Sequence, residues 1–129
     1  AVAIGARDFL VAFNVVLKTD NVGIAQAIAR NVRASSGGLP GIQALGLMLS
    51  SRNLAQVSMN LVDVASTGLQ AAFDAVRAEA VAMNVDVLES EIVGLVPGAA
   101  VGASTTSSLA LEGELADKLL EQRLAKAFR

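Results

Sequence analysis

The 129 residues contain no cysteine and no histidine. Without cysteine there are no disulfides, no thiolate nucleophile and no thiolate metal site. Without histidine as well, a zinc site has lost its usual ligands, and a Ser-His-Asp set cannot be assembled. No Lys/Arg block and no basic-aromatic interleaving occurs, and the formal net charge is −2. Both features argue against nucleic acid as a partner. Long apolar runs are lacking too. The longest stretch without a strongly polar residue, 92–103, contains Pro97 and several glycines. It falls short of the roughly 20 residues that span a bilayer, so no membrane partner is expected. The first residues lack the charged start and apolar core of a signal peptide, which favours a cytoplasmic location. The chain starts at Ala1 rather than Met. That is expected of a chain processed, trimmed or cut from something longer.

What is abundant is apolar. Hydrophobic residues make up 53% and charged residues 17%, more apolar than a typical soluble domain. One domain of this length has a modest core and struggles to hide that surface alone. The excess predicts a partner: a second subdomain, a second copy in a homo-oligomer, or both.

Periodicity predicts the elements. Residues 9–17 alternate, with Phe9, Val11, Phe13, Val15 and Leu17 on one side, and read as a strand. Asp20 or Asn21 then caps a helix over 22–34 with the stripe Ile24, Ala25, Ile28, Val32. Gly23 costs that helix up to about 1 kcal/mol if it is internal. A loop over 35–41 precedes strands at 42–49 and 55–63, which the polar turn 50–53 joins as an antiparallel hairpin. Thr67-Gly68-Leu69-Gln70 has a capping-box pattern. The helix behind it carries Leu69, Ala72, Phe73, Val76, Ala80 and Met83 on one stripe, with Asn84 as C-cap. A fourth strand ends near Val93. The order β-α-β-β-α-β is the ferredoxin-like α+β arrangement: a four-stranded antiparallel sheet, strands one and three central, both helices on one face. Residues 1–97 form this domain and 98–129 a helical extension. In the extension 98–111 is weakly helical and 115–128 strongly amphipathic.

Three segments carry a family resemblance: GARDFLVAFN at 5–14, QVSMNL at 56–61 and SEIVGLVP at 90–97. In order and spacing they resemble the C-terminal subdomain of glutamate formimidoyltransferases. The resemblance covers 5–97 well and the tail loosely, and it implies the same ferredoxin-like fold. It implies an enzyme that moves a formimino group from formiminoglutamate to tetrahydrofolate, the folate being co-substrate, with no metal. That places the reaction in histidine degradation and one-carbon metabolism. It also implies that the catalytic base is a histidine in an N-terminal subdomain, so that this chain is the half without the base. Ferredoxin-like folds host many functions. A free-standing small-molecule-binding or oligomerisation module without catalysis is the rival reading, and a degenerate fragment a second.

Candidate site residues follow from the strand faces. Asn14, Gln56, Ser58, Asn60, Glu89 and Glu91 fall on the sheet face away from the helices. Polar-out alternation is also what a merely solvated face shows. Short amides, a hydroxyl and acids without Lys, Arg or Thr, in so apolar a chain, favour a covered face. The resemblance implies that a second, similar subdomain roofs it and that folate passes between the two sheets. On that reading Asn14, Gln56, Ser58 and Asn60 hydrogen-bond the pterin, the formimino group or glutamate. Glu91 stands where the family also admits an amide, which assigns it hydrogen bonding instead of general-base work. Arg7 either meets a substrate carboxylate or is a solvated residue before the strand.

Other motifs read as structural. Gly37-Gly38 follows a helix and lacks the GxxxxGK pattern of a phosphate loop. The segment 94–97 is a turn leaving strand four. Met48, Met59 and Met83 read as core. Asp63 and Asp74 have no partners at metal-ligand spacing. Lys18, Lys118 and Lys126 sit in polar contexts that do not make a nucleophilic lysine.

Overall fold

Alternation at period two, interrupted by two stretches at helical period, gives the element order of the computed structural model. The strands are β1 (Val11–Leu17), β2 (Ile42–Leu49), β3 (Leu54–Leu61) and β4 (Val87–Val93), and the helices are α1 (Val22–Val32) and α2 (Leu69–Ala82). The structure describes residues 11–33, 38–62, 67–93 and 109–111. The expectations for Arg7, Asp63, Gly37, the 94–97 turn, most of 98–111 and the 115–128 helix lie outside the described residues.

The sheet is antiparallel with order β2-β3-β1-β4. Strands β1 and β3 are central, as a ferredoxin-like α+β chain requires. Phe13 and Val15 on β1, Val57, Met59 and Leu61 on β3 and Ile92 on β4 are buried in one cluster with Ala25, Ile28 and Val32 of α1 and Phe73 and Val76 of α2. Burying each large side chain contributes about 1.5–3 kcal/mol. Both helices therefore lie on one face. Asn31 Nδ2 donates to Glu79 Oε2 at 3.2 Å and ties α1 to α2.

Helix ends follow local chemistry. Asn21 caps α1, its Oδ1 accepting from Gly23 N at 3.0 Å. Gly23 is thus in the first turn, where it supplies the capped N–H and where a Cβ would stand 3.1 Å from that oxygen. The expected interior penalty does not apply there. At the other end of α2, Asn84 takes φ 59° just beyond the C-cap Met83. Asn84 N donates to Val81 O and Val85 N to Ala80 O, the Schellman pattern that a left-handed Asn permits.

Four expectations are corrected. Thr67 is not the N-cap of α2; Gly68 is, with no side-chain cap. The Thr67 hydroxyl donates instead to Pro40 O at 2.7 Å and stitches the start of α2 to the loop before β2. Gln70, the expected partner in the box, donates to Asp74 Oδ1. Met48 is not core: it is 37% exposed, because it lies near the turn end of an edge strand. Strict period two puts Leu88 in one row with Ser90 and Ile92, and the structure breaks that row. The β1–β4 register shifts between Val16 and Leu17, which pair with Glu89 and Val87, and Leu88 is passed over. Such a bulge is typical of an edge strand. Lastly, the end of 98–111 is not helical. Leu111 forms a parallel bridge with Ser90, and Ser90 N donates to Ala110 O at 2.8 Å. The buried Ser90 hydroxyl donates to Leu109 O.

Thr67 is 2% exposed. Replacing it with valine keeps the volume but leaves Pro40 O without its donor. Thr67→Val is expected to lower stability by about 1–2 kcal/mol in urea unfolding. An unchanged midpoint would show that the stitch contributes nothing.

Candidate functional site

Cross-strand register decides which side chains meet on the face away from the helices. Asn14 lies opposite Ser58 on β3 and Glu91 on β4, and Leu45 lies opposite Ser58 on β2. The middle row of the open face therefore reads Leu45, Ser58, Asn14, Glu91. On one side is the row Gln43, Asn60, Ala12, Val93, and on the other Leu47, Gln56, Val16, Glu89. The five described site residues predicted from the sequence, Asn14, Gln56, Ser58, Asn60 and Glu91, do come to one face. They lie in two central strands and their β4 neighbour. Arg7 is outside the described residues.

The face is not a uniformly wet one. Ser58 Oγ donates to Asn14 Oδ1 at 2.9 Å. That bond fixes the Asn14 carboxamide so that its two N–H donors remain available. Asn60 is half-buried and Glu91 exposed. Gln56 is only 6% exposed, and its carboxamide makes no hydrogen bond with a described residue.

At the Gln56 end, Arg52 of the β2–β3 turn forms an ion pair with Glu89 of β4. Side chains at 45% and 23% exposure keep that pair partly in solvent, which limits its contribution to about 1 kcal/mol or less. It lies at the end of the sheet where Val16 and Gln56 are buried. Neither the ion pair nor the exposed Leu45 and Leu47 was found in the sequence. An arginine in a polar turn carries no sign of its reach, and β2 (IQALGLML) is apolar on both faces, so alternation does not orient it.

A surface cavity of about 330 Å³ lies elsewhere. Phe73 and Arg77 of α2 line it with Lys18 and Asp86, so it opens on the helix side. No sequence-predicted site residue borders it. The hydrogen-bonding groups that could receive a ligand are on the open face. Amides and one hydroxyl there can orient a polar ligand. They cannot act as bases near neutral pH. Among the described residues no cluster of metal-ligating side chains occurs, and no helix is long and apolar enough to cross a membrane.

Comparison with known proteins agrees with the motif reading. The sequence profile of the formiminotransferase domain matches residues 12–119. A glutamate formimidoyltransferase of Thermoplasma acidophilum is 43% identical over 124 residues, covering 96% of this chain and 41% of the relative. One from Streptococcus pyogenes is 46% identical over 99 residues, covering 77% of this chain and 33% of the relative. The formimidoyltransferase-cyclodeaminase of Mus musculus is 42% identical over 103 residues, covering 75% and 19%. The chain thus spans at most about two fifths of the length of these curated relatives.

Proposed function

Because the chain belongs to the formiminotransferase domain family, we propose that its open sheet face is one wall of a site for formimino transfer from formiminoglutamate to tetrahydrofolate. The carrying observation is the Ser58–Asn14 pair on that face, beside the buried Gln56. A polar ligand held against this face would meet the Asn14 Nδ2 donors and the half-buried Asn60 carboxamide. The glutamate formimidoyltransferase names of the relatives supply the reaction class.

In this reading the chain orients and does not abstract protons. Asn14 Nδ2, Asn60 and Gln56 offer donors and acceptors to the pterin, the formimino group or glutamate. Glu91 accepts a hydrogen bond at the edge of the face. Holding the imine carbon within about 3–3.5 Å of the folate nitrogen turns a bimolecular encounter into an oriented one. As the new carbon–nitrogen bond forms, the bond to the nitrogen of glutamate breaks, and that nitrogen takes up a proton. The group that moves this proton is a histidine outside these 129 residues, in a second subdomain whose sheet roofs this one. We place the reaction in the cytoplasm, with no metal and with more than one copy of the protein per particle.

The test is Asn60→Leu in the full-length protein that carries this chain. Asn60 is half-buried on the open face, away from the core cluster. Leucine is of similar size, and the unfolding midpoint is expected to stay within about 0.5 kcal/mol. Folate binding or turnover is expected to fall roughly tenfold, as for a lost hydrogen bond worth about 1.5 kcal/mol. A variant with unchanged binding and turnover would mean that the face is merely solvated.

A further inference from the structure

The two edges of the sheet are treated differently. The β4 edge is met by residues 109–111, through the Ser90–Leu111 bridge and the bond from Ser90 N to Ala110 O. The β2 edge pairs with no described strand. It runs for 8 residues, IQALGLML, with no charge and no proline. Exposed edges are normally guarded by charges, prolines or bulges, since their unused N–H and C=O groups are a template for another strand. Here the register with β3 is regular from Ile42 to Leu49.

A groove of about 220 Å³ follows this edge. Ala44, Leu45 and Gly46 of β2 line one side of it, and Gln26, Ala29 and Arg30 of α1, with Arg33 just beyond the helix, line the other. The two sides are held close because α1 rests directly on Gly46, where a Cβ would lie 2.3 Å from Gln26 N. Among the described residues Arg30 forms no ion pair. Leu45, 58% exposed, and Leu47, 39% exposed, stand in the rows of Ser58 and Gln56, and Leu45 also borders the groove.

We propose that the β2 edge and the α1 wall form a docking groove for an extended acidic segment of a partner protein, which adds to the sheet as a fifth strand. Main-chain hydrogen bonds to β2 supply the affinity, and alternate side chains supply the choice of partner. Those pointing toward α1 meet two guanidinium groups and fit Asp or Glu. Those pointing toward the open face lie beside Leu45 and Leu47 and fit apolar residues. The recognised pattern therefore alternates acidic and apolar.

Charge disfavours a second copy of the chain at this edge. The α1 sequence VGIAQAIARNV carries Arg30 and no acid, and Arg33 follows it directly. Two copies joined through β2 would bring their arginines together with no carboxylate from either α1 or either β2 to separate them. The inference does not depend on formimino transfer, since Arg30, Arg33 and the β2 edge are not among the residues assigned to that reaction.

The test uses the 129-residue chain, its amides followed by NMR, and three synthetic peptides. One alternates Glu and Val over ten residues. The second alternates Lys and Val. The third is the Glu/Val peptide with every second backbone nitrogen methylated, which removes its strand-forming donors. The Glu/Val peptide is expected to shift the amides of 43–48 saturably and slow their hydrogen exchange. The Lys/Val and N-methylated peptides are expected to bind at least about tenfold more weakly, and raised salt to weaken the Glu/Val complex. Arg30→Glu with Arg33→Glu is expected to cost about tenfold in affinity, and Arg30→Lys with Arg33→Lys to retain most of it. Equal binding of the Lys/Val peptide, or a charge-reversed variant that binds as well as the parent, would sink recognition by charge. Absence of Glu/Val binding at millimolar concentration overturns the proposal. So does concentration-dependent protection of 43–48 without any peptide, which assigns the edge to a second copy.

Discussion

Purified chain mixed with formiminoglutamate and tetrahydrofolate is expected to give no formimino transfer above the uncatalysed rate. Its open face carries Asn14, Gln56, Ser58, Asn60 and two carboxylates, and the chain has no imidazole. Amides and a serine hydroxyl orient groups but do not take up protons near neutral pH. Of the carboxylates, Glu89 is held in the ion pair with Arg52, and Glu91 is exposed. A positioned general acid or base typically contributes about 10²–10⁴-fold. Orientation by half a site contributes little while the other wall is missing. The measurement is a single-turnover assay with the chain in excess over tetrahydrofolate. Multiple turnovers at an enzyme-like rate would overturn the assignment of this chain to the orienting half.

Gly46→Val is expected to be the most damaging single change in the described core. A Cβ at residue 46 would stand 2.3 Å from Gln26 N and 2.5 Å from Ala25 C. Both are helix backbone, so relief requires α1 to lift off the sheet instead of a side chain turning away. Ala25, Ile28 and Val32 would lose packing as it lifts. Overpacking in a well-filled core costs about 1–3 kcal/mol, occasionally more, and the rigid helix places this site at about 3 kcal/mol. With a urea slope near 1.5 kcal/mol per molar, the midpoint falls by about 2 M. Leu45→Val, one residue away but exposed on the other face, is expected to stay within about 0.5 kcal/mol. Equal midpoints for the two variants would show that α1 accommodates the side chain.

The candidate site was legible because strand alternation has a fixed period. Ser58 and Asn60 on one strand must share a face, as must Glu89 and Glu91 on another, wherever those strands go. The split β-α-β order then put the strands of Asn14 and Ser58 side by side. The state of each side chain was not legible. Asn14 accepts from Ser58, Gln56 is buried, and Glu89 is taken by Arg52. Each of these depends on cross-strand register and on what a distant turn reaches. Thr67 failed for a related reason. Its local pattern fits a capping box, but Pro40 O, 27 residues away, takes the hydroxyl. Thr67, 2% exposed, is packed where its hydroxyl meets Pro40 O instead of a helix N–H.

By itself the sequence determined the element order, the helix stripes, the strand faces and the family. Each rests on period, on capping residues or on contiguous motifs, which are properties of neighbours along the chain. Tertiary structure alone decided that Gly46 must be bare, that Leu88 is passed over in the register, that Met48 faces solvent, and that, among the described residues, one edge of the sheet is met and the other is not. Those facts arise where segments far apart in sequence meet, and the distance at which α1 comes to rest on β2 is set by the packing of the whole core.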